Sequence, residues 1–149
     1  MHHAHRYIVL EYADRGDLYH SLVRRRKRLQ YFSEETVWDM FRQVCEGLEY
    51  LHRHHVVHRD IKVRIIALKT ASHGGAHPCA PQTLNILRVT NPDGSLSVKI
   101  ADLGVGREVS AQTHMLQTFY GTPLYASPEL VDNRPYNEKT DVWSLGVVL

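Results

Sequence analysis

The strongest constraint on the fold is an amphipathic helix, predicted to begin after Ser33 and to end near residues 52–55. Ser33 is a good N-cap, because its hydroxyl can accept a hydrogen bond from a free N–H of the first turn. Glu34 and Glu35 suit the positive end of the helix dipole. Apolar residues then recur at three- and four-residue spacing, at Val37, Phe41, Val44, Leu48 and Leu51, with Met40 beside them. The helix is therefore predicted to lie against a core.

Shorter elements are predicted on either side of this helix. Residues 7–12, YIVLEY, are β-branched and aromatic and predict a strand that meets a turn at 13–16. Asp17 is a good cap for a helix that runs to about Arg28. The other predicted elements are a short strand or loop at 56–62, strands at 84–89 and 96–101 around the turn NPDG, a functional loop at 102–128, and the first turns of a buried helix at DVWSLGVVL. That helix pattern stops without a cap at Leu149, so we expect the sequence to end inside a structural element.

The composition sets the broad class of protein. A chain of 149 residues with 43% apolar and 23% charged residues is ordinary for a soluble globular protein and has the length of one domain, or of one lobe of a larger domain. No apolar stretch approaches the ~20 residues that span a bilayer, so we expect no membrane partner. The two cysteines, Cys45 and Cys79, form no CxxC pair, which favours a reduced, cytoplasmic protein without disulfides.

The run RRRKR at residues 24–28 is the sharpest charge feature, since the net charge is only +2. It is typical of a solvated helix end, and a nuclear-localisation signal or a phosphate-attracting patch is the alternative. A nucleic-acid or membrane-surface module built on this run is disfavoured, because no aromatic residues are interleaved with the charges. We therefore expect no nucleic-acid partner.

Four motifs occur along the chain in a recognisable order: HRDIK at 58–62, DLG at 102–104, GTPLYASPE at 121–129 and DVWSLG at 141–146. In this order and spacing they resemble the C-terminal lobe of a eukaryotic protein kinase. The flanking text, IVLEYADRGDLY and TFYGTPLYASPEL, looks most like NIMA-related Ser/Thr kinases. The resemblance implies an α+β protein-kinase-like fold, mainly the α-helical C-terminal lobe with the N-terminal lobe largely absent. Residues 1–149 would be a partial catalytic domain, from the hinge to the start of the helix after the activation segment.

The resemblance also implies an activity, the transfer of the γ-phosphate of ATP to Ser/Thr hydroxyls of protein substrates, with Mg²⁺ as cofactor. In that reaction Asp60 would accept the proton of the substrate hydroxyl, and Lys62 would contact the γ-phosphate. Asp102 and Asn85 would hold Mg²⁺, which prefers oxygen ligands. Leu103 stands where the family usually has phenylalanine, and we expect it to keep the same packing role.

Further residues match the nucleotide site and the regulatory positions of the family. By resemblance, Leu10 is the gatekeeper, Glu11 and Ala13 are hinge residues at the adenine edge, Asp17 lies near the ribose, and Leu87 forms the floor under adenine. By the same resemblance, Arg59 would pair with a phosphate on Thr118, Thr122 would face the catalytic aspartate, and Asp141 would accept hydrogen bonds from the HRD backbone. Thr113 is a second candidate for the phosphorylated residue.

The catalytic loop is interrupted, because the family pattern HRDxxxxN places the asparagine five positions after the aspartate and Asn85 stands far beyond that. If residues 63–82 are set aside, Lys62 joins Thr83 and the text becomes HRDIKTLNIL. Residues 63–82 are therefore interpreted as an aberrant insertion, a translated intron or a gene-model error. A genuine family-specific insertion is the alternative, since loop-closure entropy grows slowly with length.

A second function remains open. The family needs a Gly-rich loop over the phosphates, a strand lysine and a helix glutamate, and this sequence contains no GxGxxG and no lysine before residue 60 except Lys27. The alternative is a catalytically inactive kinase fragment that acts as a binding or dominant-negative module. The family resemblance also keeps cytoskeletal, centrosomal and nuclear locations open, and the sequence leaves the oligomeric state and the substrate undetermined.

Overall fold

The computed structural model describes residues 7–62, 85–103, 107–108 and 123–149. Its helices are α1 (Leu18–Lys27), α2 (Glu34–Arg53), α3 (Pro128–Val131) and α4 (Lys139–Val148), with a 3-10 helix at Pro123–Tyr125. Its strands are β1 (Val56–Val57), β2 (Ile86–Thr90), β3 (Leu96–Ile100) and β4 (Arg107–Glu108). The mixed α+β composition is as predicted.

Both predicted helix caps are confirmed. The Asp17 carboxylate accepts a hydrogen bond from the backbone N of His20 at 2.8 Å, at the start of α1. The Ser33 hydroxyl accepts one from the backbone N of Thr36 at 3.2 Å, at the start of α2. Each cap satisfies a free N–H of the first turn, so the two helix starts follow from local chemistry.

Helix α2 packs its apolar face on the hairpin of β2 and β3. Its residues Val44 and Leu48 are buried, and its Gln43 side chain accepts a hydrogen bond from the backbone N of Val98 at 2.9 Å. Gly47 lets the hairpin come close, since a Cβ there would lie 3.0 Å from Cδ1 of Ile100. The buried core consists of Leu18, Val44, Leu48, Ile61, Ile86, Val98 and Leu145. This core is the surface that the amphipathic pattern of α2 predicted.

The hairpin pairs β2 with β3 in antiparallel register, from Ile86 opposite Ile100 to Thr90 opposite Leu96. Both strands were predicted, and their limits lie within two residues of the prediction. The NPDG turn between them closes with a hydrogen bond from Gly94 N to Asn91 O at 2.9 Å. Gly94 has φ +83°, a left-handed conformation that glycine adopts without strain.

A second small cluster consists of Val57, Leu130 and Tyr136. Its Val57 belongs to β1, which pairs antiparallel with β4. Hydroxyl contacts attach α4 nearby, because Ser127 Oγ lies 2.7 Å from Thr140 Oγ1 and Ser144 Oγ donates to the Tyr125 carbonyl at 2.7 Å. Helix α4 is therefore attached to the segment that contains Tyr125 and Ser127.

Three sequence predictions are wrong, and one of them is the packing role of Leu103, whose side chain is 51% accessible. Residues 7–12 form no strand, and their apolar side chains are exposed, with Val9 95% and Leu10 79% accessible. A strand needs a hydrogen-bonding neighbour, and none of the β-ladders among the described residues includes this segment. Helix α4 is buried only along Thr140, Asp141, Ser144 and Leu145, while Val142, Trp143 and Val147 are about half exposed. Within the described residues nothing covers that second face.

Among the helices formed by the described residues, none is long and apolar enough to cross a lipid bilayer.

Candidate active site

Asp60, Lys62 and Asn85 form one hydrogen-bonded cluster. Lys62 Nζ lies 2.7 Å from Asp60 Oδ2, and both side chains are almost fully buried. The Asn85 side-chain Nδ2 donates to the Asp60 backbone carbonyl and, at 3.3 Å, to Asp60 Oδ2. A cation and an amide therefore hold the same carboxylate oxygen, which fixes the direction of the Asp60 side chain. The structure brings these three predicted catalytic residues together.

Hydrophobic packing positions this cluster. Ile61 lies between Asp60 and Lys62 in the chain, and its side chain is fully buried in the core. Asn85 directly precedes Ile86, which belongs to the same core. Burial of one such side chain contributes about 1.5–3 kcal/mol, so the loop and the start of β2 are held against a common support.

Asn85 also presents an oxygen that suits a metal ion. Its Oδ1 is buried and has no hydrogen-bond partner among the described residues. A buried acceptor without a donor is costly, and a hard cation such as Mg²⁺ would satisfy it. Within residues 7–62, 85–103 and 123–149, no three His, Cys, Asp or Glu side chains cluster as a metal site. The buried amide oxygen of Asn85 is therefore chemically suited to a hard cation.

Asp102 follows β3 in a strained conformation. It has φ +63°, a region that non-glycine residues rarely adopt and that is concentrated at functional sites. His58 connects it to the catalytic loop, because the backbone N of Asp60 donates to His58 Nδ1 at 3.2 Å and His58 Nε2 donates to the carbonyl of Ala101 at 3.0 Å. The His58 imidazole thus links the loop that carries Asp60 to the segment that carries Asp102.

Asp141 takes the structural role that the sequence predicted. Its side chain is fully buried and accepts hydrogen bonds from the backbone N of His58 at 2.9 Å and of Arg59 at 2.8 Å. His52 Nε2 lies 2.8 Å from Asp141 Oδ2. Arg59 has φ +69°, so the carboxylate holds a strained turn of the catalytic loop.

The Arg59 side chain is buried, and its guanidinium donates to the Tyr136 hydroxyl at 3.2 Å. Its pairing with a phosphate on Thr118 stays a prediction, because Thr118, Thr113 and Thr122 lie outside the described residues. Tyr136 and the histidine at position 52 were not identified from the sequence. Neither belongs to a motif, and nothing in the local pattern pairs a helix histidine with an aspartate 89 positions later.

Three of the predicted nucleotide-binding residues lie on one side of the site. Asp17 and Leu87 face each other in an isolated antiparallel bridge. Ala13 is partly buried in the turn just before, where Gly16 N donates to the Ala13 carbonyl at 3.3 Å. Asp14 anchors this turn to β2, since its carboxylate accepts hydrogen bonds from Thr90 Oγ1 and Thr90 N. These two bonds, the side-chain one first, lower the pKa of Asp14.

The other two predicted nucleotide-binding residues stand apart from this group. Leu10 is largely exposed, and Glu11 forms an exposed ion pair with Lys99 at 3.1 Å. Such a surface pair contributes little to stability, about 0–1 kcal/mol. The structure therefore brings Ala13, Asp17 and Leu87 together but leaves Leu10 and Glu11 on a solvent-exposed segment.

The cluster of Asp60, Lys62 and Asn85 contains residue types that phosphoryl-transfer domains use, and the buried Asp141 holds the backbone beside it. Residues 1–149 match the protein kinase domain family, and the chain belongs to it. Members of this family generally use ATP and Mg²⁺ and act on protein hydroxyls.

The chain is similar to several curated kinases. It is 36% identical over 143 residues to serine/threonine-protein kinase Nek3 of Mus musculus, an alignment that covers 96% of this chain and 23% of that protein. It is 36% identical to serine/threonine-protein kinase Nek5 of Homo sapiens, with 96% and 17% covered. It is 39% identical to NUAK family SNF1-like kinase 2 of Homo sapiens, with 95% and 18% covered. The Nek relatives confirm the NIMA-related resemblance, and the chain spans less than a quarter of these relatives' length.

Proposed function

We propose that this chain is the catalytic-loop part of a Ser/Thr protein kinase that transfers the γ-phosphate of Mg–ATP to a protein hydroxyl. The observation that carries the proposal is the buried cluster of Asp60, Lys62 and Asn85. Its members are the acid–base group, the cation and the amide that phosphoryl transfer requires. This arrangement differs from a group of solvated surface charges, because two buried donors, Lys62 and Asn85, contact the same oxygen of Asp60.

Asp60, Lys62 and Asn85 each have a separate role in the proposed reaction. As the substrate oxygen forms its bond to the γ-phosphorus and the bond to ADP breaks, Asp60 accepts the hydroxyl proton and later releases it to solvent. Lys62 places positive charge near the phosphoryl oxygens, where charge accumulates in the transition state. Asn85 holds the Asp60 carboxylate in a fixed orientation. This alignment contributes strongly to the reaction rate, because a misplacement of about 1 Å can lower the rate by about 10²-fold.

Asn85 and Asp102 would hold Mg²⁺, which when bound neutralises charge on the phosphate oxygens. The buried Oδ1 of Asn85 supports this assignment. On the nucleotide side, the bridge between Asp17 and Leu87 supports their placement near the ribose and under adenine. Ala13, Glu11 and Leu10 complete the proposed nucleotide contacts, and Lys62 reaches the γ-phosphate.

The test is an assay of γ-phosphate transfer from Mg–ATP to a serine peptide by the full chain. We expect Asp60→Asn to lower transfer by at least about 10²-fold, because the general base is lost. Asp93→Asn is the matched control, since Asp93 is an exposed turn residue whose carboxylate accepts hydrogen bonds from Ser95 N and Ser95 Oγ. Transfer that survives Asp60→Asn would contradict the proposed role of Asp60.

Three further proposals rest on the same family membership. Phosphorylation of Thr118 would recruit Arg59, with Thr122 steering toward Asp60. We also propose a cytoplasmic location and protein partners with Ser/Thr hydroxyls. Residues 63–82 are proposed to be an aberrant insertion in the partial domain 1–149, and the contact between Asn85 and Asp60 across them supports that reading.

A second candidate is a catalytically inactive module that binds partners. The exposure of Leu10 favours it, because the segment proposed to hold adenine is uncovered within the described residues. The two functions differ in their response to nucleotide. An inactive module gives no Mg–ATP-dependent transfer in the wild-type chain, whereas the kinase gives transfer that depends on Asp60.

A further inference from the structure

Four arginines from two elements line one cavity on the side of the molecule where α1 meets β2. The cavity has a volume of about 220 Å³ and is lined by Ser21, Arg24, Arg25, Arg28, Gln30 and Arg88. Arg88 comes from β2, and the other three arginines come from α1 and its C-terminal cap. Arg88, which is distant in the chain, therefore lines this cavity together with three arginines of the basic run.

Arg88 is held in this position by specific contacts. Its Nη1 donates to the hydroxyl of the buried Ser21 at 2.7 Å, and its guanidinium stacks at 5.8 Å from the ring centroid of Phe32. Arg25 covers the same ring at 4.1 Å. Two guanidinium groups therefore share one aromatic ring, an arrangement that brings like charges together.

Within the described part of the chain, no carboxylate balances these charges. Arg24, Arg25, Arg28 and Arg88 form no ion pair with an acidic side chain among the residues that the structure describes. Burial lowers the pKa of Arg88, and the charged neighbours that lower it further are all arginines. The cavity is a site of uncompensated positive charge, which an oxyanion would relieve.

Stabilisation of the C-terminal end of α1 does not account for this arrangement. Basic residues in a last helical turn interact favourably with the free carbonyls there, and this explains the residues at 24–28. It does not explain Arg88, which belongs to a different element. Nor does it explain why Ser21 orients Arg88 toward the α1 arginines.

An apolar cavity of about 150 Å³ adjoins the arginine cavity, and Arg25 and Gln30 line both. Its other lining residues include Tyr19, Leu22 and Tyr31. A ligand that fills both cavities carries an anionic group next to an apolar one. A phosphorylated residue beside an apolar residue in a peptide has this chemistry, whereas a nucleic-acid backbone offers a longer, repeated charge.

We propose that the cavity formed by Arg24, Arg25, Arg28 and Arg88 binds the phosphoryl group of a phosphorylated peptide, separately from the catalytic cluster. Guanidinium groups present paired N–H donors that match phosphate oxygens. The neighbouring apolar cavity takes the side chain that flanks the phosphorylated residue. The site would dock a phosphorylated partner independently of phosphoryl transfer.

The test is fluorescence anisotropy of a labelled phosphothreonine peptide with a flanking leucine, titrated with the full chain in the absence of ATP. We expect the phosphorylated peptide to bind at least about tenfold tighter than its unphosphorylated form. The variant Arg24→Gln/Arg28→Gln should lose about tenfold in affinity. Both positions are exposed, and an unchanged circular dichroism spectrum confirms that the variant is folded.

The matched control is Lys27→Gln/Arg53→Gln, which removes two exposed positive charges that do not line the cavity. It should leave peptide affinity unchanged. An equal loss in the control would overturn the proposal in favour of a general charge effect. Equal binding of the two peptides, tighter binding of a single-stranded RNA of equal charge, or affinity no better than that of inorganic phosphate would also overturn it.

Discussion

Asn85 donates its side-chain amide to both the backbone carbonyl and the carboxylate of Asp60, although 25 positions separate the two residues in the chain. The contact forms because Ile61 and Ile86, their immediate neighbours in the chain, are buried in the same core. The interrupted catalytic motif is therefore reassembled by packing.

Asn85→Ala should lower phosphoryl transfer by at least about 10²-fold and raise the Mg²⁺ concentration needed for half-maximal rate. The substitution removes the donor that orients Asp60 and the buried oxygen that fits the metal. Initial rates across a Mg²⁺ titration measure both effects. Asn91→Ala, which removes an amide bound to Ser95 in the hairpin turn, is the control. An unaltered Mg²⁺ requirement in Asn85→Ala would count against the metal assignment.

Asp141→Asn should destabilise the fold by about 3 kcal/mol, because the two backbone N–H groups of His58 and Arg59 both need an acceptor and the amide offers only one oxygen. Denaturant unfolding of both chains gives the difference. The exposed Asp132→Asn should change stability by less than about 0.5 kcal/mol. If both variants unfold alike, the buried network does not stabilise the catalytic loop.

Deletion of residues 63–82, which joins Lys62 to Thr83, should leave the rate of phosphoryl transfer largely unchanged, because Asn85 already contacts Asp60 with the stretch in place. The control replaces the same residues with a Gly/Ser linker of equal length, which keeps the chain length and removes the sequence. A gain of about 10²-fold in the deletion variant, absent from the linker variant, would show that packing alone does not align Asn85 with Asp60. A spliced transcript that retains the stretch would refute its origin as an intron.

Gly47→Ala should destabilise the wild-type chain and stabilise the Ile100→Val chain. An added Cβ lies 3.0 Å from Ile100 Cδ1, which valine lacks, and 3.5 Å from Ile100 Cγ1. Overpacking costs about 1–3 kcal/mol, while replacing a helix glycine with alanine gains about 1 kcal/mol. Thermal unfolding of the four chains in this cycle measures the sign change. The same sign in both backgrounds would contradict the close approach of α2 and β3.

The sequence by itself determined the local elements. Asp17 and Ser33 cap their helices through bonds to residues three positions later, and the NPDG turn closes within four residues. Such interactions are short in sequence, so a residue pattern is sufficient to predict them. The motif HRDIK indicated the chemistry of Asp60 for the same reason, because the motif consists of adjacent residues.

Only the tertiary structure decided which distant groups meet. It placed His52 beside Asp141 and brought Arg88 to the basic run. It also decided that residues 7–12 form no strand, despite their composition, because a strand exists only where another backbone supplies its hydrogen bonds. These outcomes depend on burial and pairing between segments far apart in the chain, and no local pattern encodes them.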